Sequence, residues 1–242
     1  MKTQKPGTLL DGFLAGLIVV GIMWAVKLAE EAWHFSLAAY GLLPRDWKHL
    51  YGIFTMPFIH GNWEHLIGNS SSLLVLTTLT VWTYRNIYPQ VSLMLVLLGG
   101  FWTWLLGRPD YHIGASGVIY GYASFLFFAG IFSRNYRMMA LSMLVVFLYG
   151  SFFWGIFPMK EGVSWEGHIS GAAAGLVAAY YYRDRLPKRK TYDWELEDDE
   201  EEEKEEESNE MAFHSAPENT LIHYYYKEVN KHKNNSDEQS DR

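Results

Sequence analysis

A serine hydroxyl becomes a nucleophile when a nearby base takes its proton, and imidazole is the usual base near neutral pH. Ser116 sits in the small-residue stretch "GASG" at the head of one strongly apolar run, and His168 lies near the head of another, in "EGHISGAAAG". His168 is the only histidine inside the last four apolar runs, and no Asp or Glu lies inside them at its depth. The pair therefore reads as a Ser/His dyad rather than a three-membered triad. Acyl transfer also needs donors aimed at the developing oxyanion. His65 and Asn69, spaced i, i+4, share one helix face. Ser116, if it opens a helix, adds a backbone N–H with no intrahelical partner.

Each of these residues also has a plainer use. A serine in a glycine-rich helix start is more often a packing residue, and His65 with Asn69 could form an interhelical hydrogen-bond pair. His34, His49 and His60 read as interfacial loop residues, with His60 the one of the three expected to contribute to the candidate site. The tryptophans, among them Trp47, Trp63, Trp82, Trp102, Trp104 and Trp154, read as interfacial anchors. "FLYGSFFWGIF" reads as lipid contact, with a lateral gate as the functional alternative.

Such residues need elements to hold them, and composition shows of what kind. Over 242 residues the mean hydropathy is only −0.07, but the charge is unevenly spread. Up to about Arg183 the chain is a series of long apolar runs, whereas "DWELEDDEEEEKEEESNE" is nearly all carboxylate. The expectation is an all-α, multi-pass membrane domain over residues 1–186, followed by an acidic, disordered cytoplasmic tail over 187–242. A helix needs roughly 20 apolar residues to cross the hydrocarbon, and six segments qualify: 9–29, 62–83, 90–107, 115–133, 138–156 and 167–183. The first is long for a signal peptide and is followed by no clear cleavage site, so it reads as a retained span.

Lys and Arg favour one set of loops: Lys2, Lys5, Arg85, Arg134, Arg137 and the cluster Arg183 to Lys190, against Arg45, Lys48, Arg108 and Lys160. By the positive-inside rule both termini are cytoplasmic. The second, fourth and sixth spans then start near the outer leaflet, and these are the spans that start with "HGNWEHLIGNSSS", "GASG" and "EGHISGAAAG". Polar groups inside a membrane are costly, so their agreement in depth marks a site. Gly117 and Gly121 in the fourth span, with Gly171 and Gly175 in the sixth, form small-xxx-small patterns that allow backbone contact and bring Ser116 to His168. Tyr120, one turn below Ser116, is placed to lie against the imidazole.

Other classes fit less well. A transporter would show inverted repeats and charged residues near midplane, and neither is seen. A di-histidine metal site lacks carboxylates within the spans, and the absence of cysteine removes thiolate chemistry. No metal, cofactor or nucleic-acid partner is expected; the partners are the lipid bilayer and transmembrane protein substrates.

With "HGNWEHLIGN", "GASGVIYGY" and "GHISGAAAG" in that order and spacing, residues 9–183 resemble the rhomboid intramembrane serine proteases in their basic bacterial six-helix form. The resemblance implies Ser116 as nucleophile, His168 as general base, and His65 and Asn69 as oxyanion donors with the Ser116 N–H. It implies that Gly114 shapes the same hollow, that Tyr120 stacks on the base, and that His60 lies beside the oxyanion site. It further implies an inner-membrane serine endopeptidase with substrates that are transmembrane segments or their flanks. A non-catalytic scaffold or chaperone-like relative is the alternative. One departure is in the first long loop, where many members carry a Trp-Arg pair and this chain has "PRDW", with Arg45 before Trp47.

Overall fold

The computed structural model describes residues 8–158 and 162–188, with the side chain of Phe152 left out. The acidic run expected to be a disordered tail lies outside them. The described residues form seven α-helices joined by short 3-10 turns, with no strands: α1 (Leu9–Ala32), α2 (Gly52–Thr55), α3 (Trp63–Tyr84), α4 (Tyr88–Leu106), α5 (Ser116–Ser133), α6 (Tyr136–Tyr149) and α7 (Trp165–Tyr181). Helices α1, α3, α4 and α5 are long and apolar enough to cross a membrane; α6, with 14 residues, and α7, with 17, are shorter. Apolar side chains also cover the outside of the bundle. Leu10, Ile18 and Met143 are exposed and Phe147 is 85% exposed, a surface suited to lipid rather than water.

Local chemistry sets most of the helix starts. Thr8 accepts from the Asp11 N–H while Asp11 accepts from the Thr8 N–H, both at 3.1 Å, a reciprocal cap on α1. Asn62 caps α3 through the His65 N–H at 2.8 Å, and Ser164 caps α7 through the Gly167 N–H at 3.2 Å. No side chain caps α5, which opens directly on Ser116.

The fifth expected span ends early. Its α-helix stops at Tyr149 and continues as a 3-10 turn over Gly150–Ile156. Gly150 and Gly155 are poor helix formers, which weakens the α-helix at this end. The tighter turn also brings the Gly155 carbonyl toward α7.

Packing centres on α7, which lies against both α5 and α4. A Cβ at Gly171 would run into the backbone of Gly117, and one at Gly175 into the backbone of Gly121. On the other side, the Gly171 Cα lies 3.4 Å from where a Gly99 Cβ would be. The Ser124 hydroxyl donates to the Ala172 carbonyl at 2.7 Å across the same seam. Leu73, Leu76, Leu95, Ile119, Phe125 and Ala174 fill the core around it. Helix α1 packs on α3, where Gly12 rests on the Thr78 backbone.

The connection between α1 and α3 folds over the end of α4. Arg45, at φ +61°, donates to the carbonyls of Leu105 at 3.3 Å and Gly107 at 2.8 Å, where the last turn of α4 leaves acceptors unpaired. Trp47 lies 4.6 Å from Trp104, ring to ring. Trp104 is not the interfacial anchor expected of it. It is 6% exposed, packs with Leu42, Ile53 and Met56, and donates to the Asp46 carbonyl at 3.2 Å. Leu42 and His112 exchange backbone hydrogen bonds of 3.0 and 2.9 Å, tying this connection to the segment just before α5.

Candidate active site

The close seam between α5 and α7 brings two residues 52 apart in the chain into contact: Ser116 Oγ lies 2.9 Å from His168 Nε2. His168 is 7% exposed, in the first turn of α7. Its other ring nitrogen, Nδ1, lies 2.7 Å from the Gly155 carbonyl oxygen. The Tyr120 ring stacks on the imidazole at 4.1 Å between centroids and 7° between planes. A serine hydroxyl, an imidazole held at both nitrogens and a flat ring beneath it can together move a proton off the hydroxyl.

A hollow lies beside the serine. Gly114, two residues earlier, has φ +106°, a conformation that favours glycine. Its N–H donates to the Met56 carbonyl at 2.8 Å, which anchors the turn. A Cβ there would lie 2.6 Å from His65 Cε1, 2.8 Å from His65 Nε2 and 3.3 Å from Asn69 Nδ2. The missing side chain thus leaves room that the His65 ring and the Asn69 amide border, at the N-terminus of α5 where helix N–H groups lack intrahelical acceptors. Among the described residues no three His, Asp or Glu side chains converge as metal ligands would.

The model of the rhomboid domain matches residues 47–185, more than half of the chain and the whole of this arrangement. The chain belongs to the rhomboid family. Members of that family are in general intramembrane serine proteases, and with four long apolar helices among its described residues this rhomboid is an integral membrane protein. An uncharacterized protein of Mycobacterium tuberculosis is 35% identical over 197 residues, covering 78% of this chain and 81% of the relative. One of Mycobacterium leprae is 35% identical over 199 residues, with 78% of each covered. A protein of Acanthamoeba polyphaga mimivirus that is named as a rhomboid protein is 31% identical over 137 residues, covering 54% of this chain and 73% of its own.

In this rhomboid His60 supports the hollow from behind. It is fully buried in the segment preceding α3, with its ring centroid 5.1 Å from that of His65. Its Nδ1 faces the Phe58 carbonyl at 3.4 Å and its Nε2 faces Asn69 Nδ2 at 3.0 Å. A carbonyl only accepts, so Nδ1 carries the proton and Nε2 accepts from Asn69. One Asn69 N–H is used in this way and the other is left for the hollow. Burial, together with the neighbouring His65 ring, lowers the His60 pKa to about 4, so its ring stays neutral as that bond requires.

A second polar cluster fixes the start of α7. The Gly167 N–H donates to Ser164 Oγ, whose hydroxyl donates to His112 Nδ1 at 2.5 Å, and His112 Nε2 donates to the Arg108 carbonyl at 3.2 Å. Burial lowers the His112 pKa, which keeps this chain of donors in its neutral form. Arg108 donates to the Val163 carbonyl at 2.7 Å, and its Nε stands 2.7 Å from Glu166 Oε1. The contact is an ion pair rather than a directed hydrogen bond, and Glu166 is 5% exposed. A carboxylate therefore does lie in the first turn of α7, but it pairs with Arg108 while His168 Nδ1 takes the Gly155 carbonyl.

Sequence reasoning did not find Gly155, Ser164, His112 or the Arg108–Glu166 pair. A helix-cap pattern could have marked Ser164. The Gly155 carbonyl carries no signal, because every residue has one.

Proposed function

We propose that this rhomboid is an intramembrane serine endopeptidase that cleaves transmembrane or juxtamembrane segments of membrane proteins. The observation that carries the reading is the 2.9 Å approach of Ser116 Oγ to His168 Nε2, with Nδ1 satisfied on its far side. Ser116 Oγ attacks the scissile carbonyl carbon and its proton passes to His168 Nε2. The C–N bond breaks as that proton moves to the leaving amine. Water then attacks the acyl-enzyme, giving a proton to His168, and the ester bond to Ser116 breaks to restore the hydroxyl. The oxyanion in each step is held in the hollow at Gly114 by the Ser116 N–H, the Asn69 amide and the His65 ring, while His60 orients Asn69 and Tyr120 keeps the imidazole plane fixed. Donors of this kind are each worth about 10²–10³ in rate.

The chain crosses the membrane six times, through α1, α3, α4, α5, α6 with its 3-10 extension, and α7. The excess of Lys and Arg in one set of loops supports cytoplasmic termini. The site then lies near the outer leaflet of the inner membrane, where water can reach it.

The test is labelling of the purified protein in detergent with a fluorophosphonate, which reacts only with an activated serine. Label is expected on Ser116 in the wild type, and Ser116→Ala and His168→Ala should each abolish it. Unchanged labelling in Ser116→Ala would sink the assignment. An unlabelled wild type that still captures transmembrane segments would point to the scaffold alternative.

A further inference from the structure

We propose that the main-chain carbonyl of Gly155 is a positioning group for His168, so that Ser116 is activated only while the 3-10 turn Gly150–Ile156 is seated against α7. This rests on the reading of His168 as general base. An imidazole has two neutral tautomers, and only the one with its proton on Nδ1 presents a lone pair on Nε2 to the serine. The Gly155 carbonyl, 2.7 Å from Nδ1, can accept but not donate. The other tautomer would face that carbonyl with a lone pair and would put a second donor against Ser116 Oγ. The carbonyl thus selects the productive form. An aspartate does this in a serine-protease triad; here a backbone group without charge performs the orienting part alone.

The selection depends on a residue without a side chain. A Cβ on Gly155 would collide with the Tyr120 hydroxyl, lie 3.2 Å from Tyr120 Cζ, and lie 3.3 Å from His168 Nδ1. Tyr120 therefore touches both partners: its ring face lies on the imidazole at 4.1 Å and its hydroxyl end lies against the turn. Ring, imidazole and turn form one packed unit, and a shift of the turn moves the acceptor off Nδ1.

Little else about the turn is buried. The buried residues of α6, Leu141, Ser142 and Val145, all lie before the turn, the last of them five residues ahead of Gly150. In the turn and just after it Phe153, Trp154 and Phe157 are exposed. Seven residues of 3-10 helix is also long for a conformation that seldom exceeds three or four. Within the turn only Gly155 and Ile156 are half-buried among the described side chains, so its seat is set at that end, and the base inherits its state.

Two measurements on the full-length protein in detergent micelles test this. In 15N-histidine-labelled wild type, with the His168 signals assigned by their loss in His168→Ala, Nδ1 is expected to give the protonated, pyrrole-type shift and Nε2 the pyridine-type shift at a pH where the ring is neutral. The reverse pattern would overturn the proposal without bearing on whether Ser116 is a nucleophile. Gly155→Ala should lose that pattern and label with fluorophosphonate roughly 10²-fold more slowly, the order of a general base's contribution. On a transmembrane substrate the loss should fall on kcat, with KM within about threefold, because the contact serves proton transfer rather than binding. Gly155→Ala combined with Tyr120→Phe, which opens space for the new methyl, should regain the tautomer and part of the rate. A Gly155→Ala protein with wild-type tautomer and labelling rate would refute the proposal. If wild-type Ser116 failed to label, the protease reading would fall, while the nitrogen shifts would still decide whether Gly155 sets the tautomer.

Discussion

Gly171 and Gly117 face each other across the same seam, yet an added methyl should act very differently at the two. At Gly171 the Cβ would land on the Gly117 backbone, well inside contact with its carbonyl oxygen and carbon and 3.1 Å from its Cα. At Gly117 it would lie 3.1 Å from the Gly167 carbonyl oxygen and 3.7 Å from its carbon. Carbon and carbonyl oxygen settle at about 3.3–3.6 Å, so Gly117→Ala asks for a few tenths of an ångström and Gly171→Ala for about 1 Å or more. Backbone cannot rotate aside as a side chain does, and Gly99 on α4 limits movement of α7 in the other direction. The displacement must therefore open the gap between Ser116 and His168. From 2.9 Å, an added 1 Å takes the pair beyond hydrogen-bonding distance, whereas a few tenths leave it intact. A misplacement of that size costs about 10² in rate. Gly171→Ala should accordingly lose at least about 10²-fold in fluorophosphonate labelling rate and in kcat/KM on a transmembrane substrate, and Gly117→Ala less than about tenfold. Thermal unfolding in detergent should show Gly171→Ala less stable by roughly 1–3 kcal/mol, the usual cost of overpacking. Equal losses in the two variants, or wild-type labelling by Gly171→Ala, would refute the claim that this seam sets the distance between serine and histidine.

Other outcomes follow from single contacts. Gly114→Ala, forced into a left-handed conformation and against His65, should lose roughly 1–3 kcal/mol of stability and roughly 10²–10³ in kcat, read by thermal unfolding and substrate cleavage. His60 titrates at about 4 in the fold against about 6.5 in the unfolded chain, so folding favours its neutral form. The stability this lends is complete above about pH 6.5, falls as the pH drops below that, and is gone by about 4, a loss of up to about 3 kcal/mol. A denaturation midpoint followed from pH 7.5 downward checks it, and His60→Gln should flatten that part of the curve. Arg108→Ala leaves the buried Glu166 carboxylate without its cation and should cost roughly 2 kcal/mol, less than for a fully buried pair because Arg108 is half exposed. Adding Glu166→Gln should restore more than half of that loss in the same unfolding assay.

Lipid makes much of this fold readable, because a span must be long and apolar, and α1, α3, α4 and α5 fall close to the segments their hydropathy marks. The seam was readable for a related reason: glycines four apart in two spans allow contact between backbones, and α5 and α7 do meet at Gly117, Gly121, Gly171 and Gly175. What escaped was whatever depends on backbone groups or on partners distant in sequence. Hydropathy does not separate α-helix from 3-10 turn, so 138–156 reads as one span although α6 ends at Tyr149. Trp104 carries the composition of an interfacial anchor, and only the fold of residues 33–62 over α4 buries it. Glu166 falls one residue before the span read as 167–183, whereas α7 begins at Trp165 and takes it inside.

The placement of α7 has a consequence for biosynthesis. Of the described α-helices, the last to leave the ribosome is α7, which packs against both α4 and α5 and carries His168. Ser116 emerges 52 residues earlier, which at about 5–20 residues per second is roughly 3–10 s of translation. During that interval the growing chain holds Ser116 without its histidine partner, so on the proposed reading a nucleophile with no base, and a glycine groove on α5 not yet covered by α7. If the proposed protease reading holds, peptide-bond cleavage, including any attack on the protein's own earlier spans, is withheld until α7 has inserted, so the order of synthesis does the work that a removable pro-segment does in secreted proteases.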